Sequence, residues 1–125
     1  MSQTDHIVLP SAFLYVPADR PERFEKADAA SPAVMLDLED SVAVDRKAQA
    51  RVNVVHHLDE EGSAGEQWVR VSSEFLDLDV AALAAATPPA GVMVAKADLG
   101  SLRRCAEALP GMPLIALIVE FRSTR

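Results

Sequence analysis

Five short apolar runs, spaced along the 125 residues and separated by helix-like stretches, restrict most strongly how this chain can fold. Ala12 to Val16 (AFLYV), Ala33 to Leu38 (AVMLDL), Gln67 to Ser72 (QWVRVS), Gly91 to Ala95 (GVMVA) and Leu114 to Val119 (LIALIV) each have the length of one strand. They carry little polar alternation, which suits strands covered on both faces. Between them, Pro21 opens a helix with Phe24, Ala27 and Ala30 on its apolar side. From Val44, residues Ala48, Val52, Val55 and Leu58 recur at helical spacing. Leu76 to Ala86 reads as a third helix stopped by Pro88 and Pro89. Ser101 caps a fourth, in which Leu102, Cys105, Ala106 and Leu109 share a face. Strand and helix in strict alternation predict an α/β fold: a parallel sheet with right-handed crossovers. No GxGxxG or P-loop occupies a strand-to-helix turn, so a nucleotide-binding Rossmann fold lacks its main support. A flavodoxin-like open sheet and part of a (β/α)₈ barrel both stay open at this stage.

Composition removes several function classes. The formal net charge of −7 argues against a general nucleic-acid surface, although one local pocket can still be basic. Cys105 is the single cysteine, which rules out an internal disulfide and a Cys-based zinc site. It reads as a small buried apolar residue. No apolar run approaches the ~20 residues of a membrane span. The first residues, with Asp5 and His6, do not read as a signal peptide, so a soluble cytoplasmic protein is expected. Residues 1–11 read as an N-terminal tail and 12–125 as the folded domain.

Ligands of parallel α/β proteins bind beyond the carboxyl ends of the strands, and four of the five runs end there in a usable group. Asp37, Glu39 and Asp40 close the second, Arg70 lies in the third, Lys96 follows the fourth and Glu120 the fifth. Asp37 and Glu39, two apart, share one face of an extended chain. Three carboxylates so close repel each other and need Arg, Lys, a metal or backbone amides to relieve the cost. They also suit the capping of the following helix. Arg70, flanked by Trp68, Val69 and Val71, needs either an internal carboxylate such as Asp37 or Glu39, or an anionic ligand gripped through two oxygens. Lys96 has the same two readings. His56 and His57, inside the second helix, read as surface or interface residues. With no Ser or Cys nucleophile paired to a credible His base, triad hydrolysis has little support.

These blocks resemble a known family. FLYVPADRPERFEKA, then AVMLDLEDSV, DRKAQAR, WVRVS, VMVAKAD and PLIALIVE are similar, in order, to the opening of citrate lyase β-subunit-like proteins. Those proteins belong to the wider HpcH/HpaI aldolase group. The resemblance runs from about Ala12 to Glu120. It implies the first half of a (β/α)₈ TIM barrel with parallel strands: a Mg²⁺-dependent carbon–carbon lyase cleaving or forming a citryl-, malyl- or citramalyl-CoA type thioester through an enolate. It also implies a homo-oligomer, a trimer in full-length relatives, whose partners are an acyl-CoA and a small keto or hydroxy acid. On this reading Arg70 grips the substrate carboxylate and Glu120 binds both metal and substrate. Tyr15 and Lys26 contact the CoA portion, and Asp37 joins the substrate-binding set. Glu39, Asp40 and Lys96 are the catalytic candidates. The chain departs from the family in reading ALIVEFRSTR where the family has ALIE, a small residue and a Gly. A domain truncated after its fifth strand is therefore expected, with open edges at the first and fifth strands and inward side chains short of partners. That predicts association. The alternative is a catalytically incomplete fragment that only binds or associates.

Overall fold

The computed structural model describes residues 9–60 and 62–118. Five strands alternate with four α-helices: β1 (Leu14–Pro17), α1 (Phe24–Ala30), β2 (Ala33–Asp37), α2 (Lys47–Asp59), β3 (Glu66–Val71), α3 (Leu76–Ala84), β4 (Gly91–Val94), α4 (Leu99–Ala108) and β5 (Leu114–Ala116). Single 3₁₀ turns at Pro21–Arg23 and Val44–Arg46 lead into α1 and α2.

Each strand pairs in parallel with its neighbour in sequence, in the order β1-β2-β3-β4-β5. A flavodoxin-like sheet would place its second strand outside the first and reverse direction at a switch point. Nothing of the kind occurs here, and the order is that of a barrel wound one βα unit at a time. Val16, Val34, Leu36, Val69, Val71, Val92 and Val94 pack against Phe24, Val54, Leu58, Val80, Leu83 and Cys105 of the helices in the main core. All four helices therefore cover one sheet face.

The other face corresponds to a barrel interior, and there the expectation of inward side chains short of partners is corrected. Met35, Trp68 and Met93 are buried and pack with Phe13, Ala90 and Ile115. Trp68 makes this possible. Register places it opposite Met35 on one side and Gly91 on the other, and a Cβ at Gly91 would overlap its six-membered ring. The indole's six-membered ring thus occupies the space that a side chain at position 91 would take. Its Nε1 donates to Glu66 Oε1 at 2.9 Å, and Phe13 meets the ring edge-to-face at 5.4 Å. Among the described residues, β1 pairs only with β2 and β5 only with β4.

Two helix assignments also change. The buried face of α2 is Lys47, Ala50, Val54 and Leu58, whereas Val52 points outward at 60% exposure. Apolar residues surround this helix, so their spacing alone fitted two faces. The ammonium of Lys47, held under the sheet end, selects the other one. In α4 the cap is Asp98 rather than Ser101. Its carboxylate accepts from the Ser101 amide at 2.7 Å, while the Ser101 hydroxyl takes up the Asp98 amide at 2.9 Å. This reciprocal box satisfies two amide donors at the helix start. Replacing Asp98 by Ala is expected to lower the melting temperature by a few degrees, read by circular dichroism, with the helical spectrum retained.

Candidate functional site

The carboxyl ends of β2, β3 and β4 bring the polar residues together. Asp37, the last residue of β2, stands opposite Arg70 in the register. Arg70 grips it with two hydrogen bonds, Nε to Oδ1 at 2.8 Å and Nη2 to Oδ2 at 2.7 Å. The same carboxylate accepts from the Glu39 amide at 2.9 Å and from the Ser41 hydroxyl and amide at 2.6 and 3.3 Å. Burial pushes the Asp37 carboxyl up, but the bonds from Arg70, Ser41 and the Glu39 amide, with the Arg70 charge, outweigh it and hold it below the ordinary carboxylate range. Asp37 in turn raises the pKa of the Arg70 guanidinium. So the internal ion pair is formed, and the acidic cluster does not cap the following helix: the turn and α2 start at Ala43 and Arg46, without side-chain caps.

The pair leaves Arg70 a second capability. None of the hydrogen bonds among the described residues uses Nη1, and the Tyr15 ring lies under the guanidinium, 5.3 Å from centroid to Cζ. One edge of a planar fork is anchored, its face is supported and the remaining nitrogen is uncommitted. This arrangement can orient an anionic ligand without further loss of side-chain freedom.

A second cluster adjoins the first. Glu39 is buried, with Oε2 accepting from the Ser73 amide at 2.9 Å and Oε1 lying 3.6 Å from Lys96 Nζ. Lys96 has a left-handed backbone (φ 49°), uncommon for a residue other than glycine. Its ammonium is largely exposed, so the ion pair itself contributes little stability. Behind Glu39, the buried Lys47 donates to the carbonyls of Leu38 and Glu39 at 2.7 and 2.8 Å.

The structure thus gathers Tyr15, Asp37, Glu39, Arg70 and Lys96. Asp40 is exposed at the same rim, and Lys26 is exposed on α1 without a bond to the cluster. Glu120 lies outside the described residues. Among the described residues, no three His, Cys, Asp or Glu side chains stand close enough together to hold a metal ion. His56 is exposed beside Glu60, whereas His57 is half-buried, bonded to Gln67 and packed on Phe24. The sequence reading missed Ser41, Ser73 and Lys47. The two serines follow strand ends, where a rim signal existed. Lys47 stands inside the DRKAQAR block, whose residues carry no role in the family resemblance.

The profile of the HpcH/HpaI aldolase/citrate lyase family matches residues 11–103, most of the chain. The chain belongs to that family. A citrate lyase subunit beta-like protein of Mycobacterium tuberculosis H37Rv is 62% identical over 39 residues, 31% of this chain and 14% of the relative. An L-malyl-CoA/beta-methylmalyl-CoA lyase of Cereibacter sphaeroides (strain ATCC 17029) is 51% identical over 58 residues, 46% of this chain and 17% of the enzyme. Among solved structures, the citrate lyase beta subunit of M. tuberculosis complexed with oxaloacetate and magnesium superposes with a TM-score of 0.66 at 34% identity. That match covers 85% of this chain and 46% of the other. CitE from M. tuberculosis with magnesium, acetoacetate and coenzyme A gives a TM-score of 0.67 at 35% identity, over 85% and 38% of the two chains. The five strands and four helices seen here superpose on part of those structures, and this chain spans less than half the length of the solved relatives it matches. Among the described residues, no helix is long and apolar enough to cross a membrane.

Proposed function

We propose that this chain supplies the carboxylate-binding part of a carbon–carbon lyase site that cleaves or forms a hydroxyacyl-CoA thioester of the citryl-, malyl- or citramalyl-CoA type. The observation that carries this reading is Arg70, fixed by Asp37 and Tyr15, with Nη1 in no hydrogen bond among the described residues. Nη1 donates to the carboxylate of the keto or hydroxy acid, and the rigid support keeps that acid in one orientation. Asp37 serves the substrate through Arg70. Lys96 places a positive charge at the rim, where negative charge develops on the enolate oxygen, with Glu39 holding its ammonium in range. Asp40 stands beside them at the mouth. Tyr15 and Lys26 lie on the β1 side, which we assign to the CoA portion.

Mg²⁺ belongs to this reading as the group that would supply Lewis-acid polarisation of the acid's oxygens. Its proposed protein ligand is Glu120. The described carboxylates do not offer a metal set: Asp37 is saturated by its donors, and Glu39 is taken by Ser73 and Lys96. A homo-oligomer in the cytoplasm completes the proposal.

The test is release of acetyl-CoA from citryl-CoA or malyl-CoA by the purified chain with Mg²⁺, alongside calorimetric titration with oxaloacetate. Turnover that disappears on chelation supports the lyase. A second reading, a module that binds without catalysis, is favoured by the engaged carboxylates Asp37 and Glu39. It predicts oxaloacetate binding without turnover. Absence of both would overturn the two readings together.

A further inference from the structure

The DRKAQAR block begins α2, and two of its charged residues reach the rim of the sheet rather than solvent. Lys47 and Arg51 are one helical turn apart, so they share a face. Lys47 is 7% exposed and ties down the Leu38 and Glu39 carbonyls. Arg51 Nη1 donates to Asp79 Oδ1 of α3 at 3.2 Å, and Asp79 is itself 1% exposed. The other oxygen of Asp79 accepts from both the amide and the hydroxyl of Ser72, at 2.7 and 2.8 Å. The Ser72 hydroxyl accepts from the Phe75 amide at 3.2 Å, closing the β3–α3 turn. The residue after Ser72 is Ser73, whose amide holds the Glu39 carboxylate.

We infer that Lys47, Arg51 and Asp79 are positioning residues for Glu39: one face of α2 fixes the Glu39 backbone through Lys47 and its carboxylate through the Arg51–Asp79–Ser72 clamp on the Ser73 amide. Packing alone does not account for these groups. An ion pair and a buried ammonium are costly to desolvate, and apolar side chains of similar size would fill the same space at less cost. What the charged groups add is direction. Asp79 aims the turn so that the Ser73 N–H points at the rim, and Lys47 turns two carbonyls of the LDLED segment away from it. An amide aimed in advance at a carboxylate keeps it in one place without reorganisation. The catalytic significance of Glu39 rests on the proposed function; its placement by this network does not.

Amide hydrogen exchange and the Glu39 side-chain ¹³C carboxyl signal read that placement without substrate. In Asp79→Asn, Arg51→Met and Lys47→Met, Ser73 is expected to exchange faster by about tenfold relative to Val69 and Val92 of the same sheet, with the Glu39 signal shifted. Arg51→Lys should restore part of the protection. A merely structural role would speed all three amides together. If folded Asp79→Asn leaves Ser73 in step with Val69 and the Glu39 signal unmoved, the inference is overturned. Should Asp79→Asn fail to fold, the same comparison in Arg51→Met, whose side chain is partly at the surface, decides it. Failed oxaloacetate binding would instead count against the proposed function and leave these readouts intact.

Discussion

Arg70→Met is expected to destabilise the fold by about 3 kcal/mol at neutral pH, and to abolish measurable oxaloacetate binding. The stability effect arises because Asp37, 2% exposed, keeps its charge in the interior and loses two charge-assisted hydrogen bonds. Ser41 and the Glu39 amide still serve it, which places the loss at the lower end for a broken buried pair. The pH dependence gives the mechanism away. In the wild type the folded Asp37 carboxyl lies below its ordinary value of 3.8. Its contribution is therefore fully present above that value and is lost as pH falls through the lower folded value. In Arg70→Met the lowering influence of Arg70 is gone, so the folded carboxyl moves up toward the unfolded value and much of that pH-dependent contribution disappears. The gap between the two proteins should hence hold from about pH 7 to pH 4 and shrink as pH falls further, in urea unfolding. Asp79, whose carboxyl burial pushes upward, acts in the opposite sense to wild-type Asp37 but is common to both proteins and cancels in the difference. A gap independent of pH would mean that Asp37 is not the group responsible.

Much of this was legible in the chain, for identifiable reasons. The strands announced themselves because each is a continuous apolar run bounded by Pro, Gly or charged residues, and such runs have few other places to go. The rim residues followed from where those runs end. What sequence left open was decided by pairings between distant positions. Arg70 had two readings, internal partner or external ligand, and only the register that sets it opposite Asp37 shows that one guanidinium can serve both. The apolar face of α2 was misread because Val52 and Val55 look as hydrophobic as Val54. The deciding residue was a lysine, whose burial depends on two carbonyls at the end of another element. Ser73 follows a strand end, yet its position does not tell what its amide does, since a backbone amide becomes part of a site only when a carboxylate 34 residues earlier is folded onto it. The family resemblance carried function further than any of these residues did, but it does not set hydrogen bonds.

The largest single loss is expected from Trp68→Ala, about 3–5 kcal/mol, read as a lowered urea midpoint. Trp68 is 1% exposed and lies at the centre of the inner face, packed among Met35, Met93, Phe13 and Ile115. Its removal opens a cavity on the side of the sheet that carries no helices, and Glu66 loses the indole donor. The outer core, from Val34 to Leu109, is untouched by this change. The sheet should therefore keep its far-ultraviolet signature while the inner face binds a hydrophobic dye. Gly91→Ala tests the same packing from the other side. It keeps the indole but drives a methyl group into its ring, so the tryptophan must swing off the β4 backbone. Both variants should then show a displaced or absent indole, and combining them should cost less than the sum of the two, because Trp68→Ala leaves room for the new methyl. Full additivity would mean that Gly91 is required for some reason other than Trp68. The coupling would show that one aromatic ring and one missing side chain, 23 residues apart, seal the inner face of these five strands.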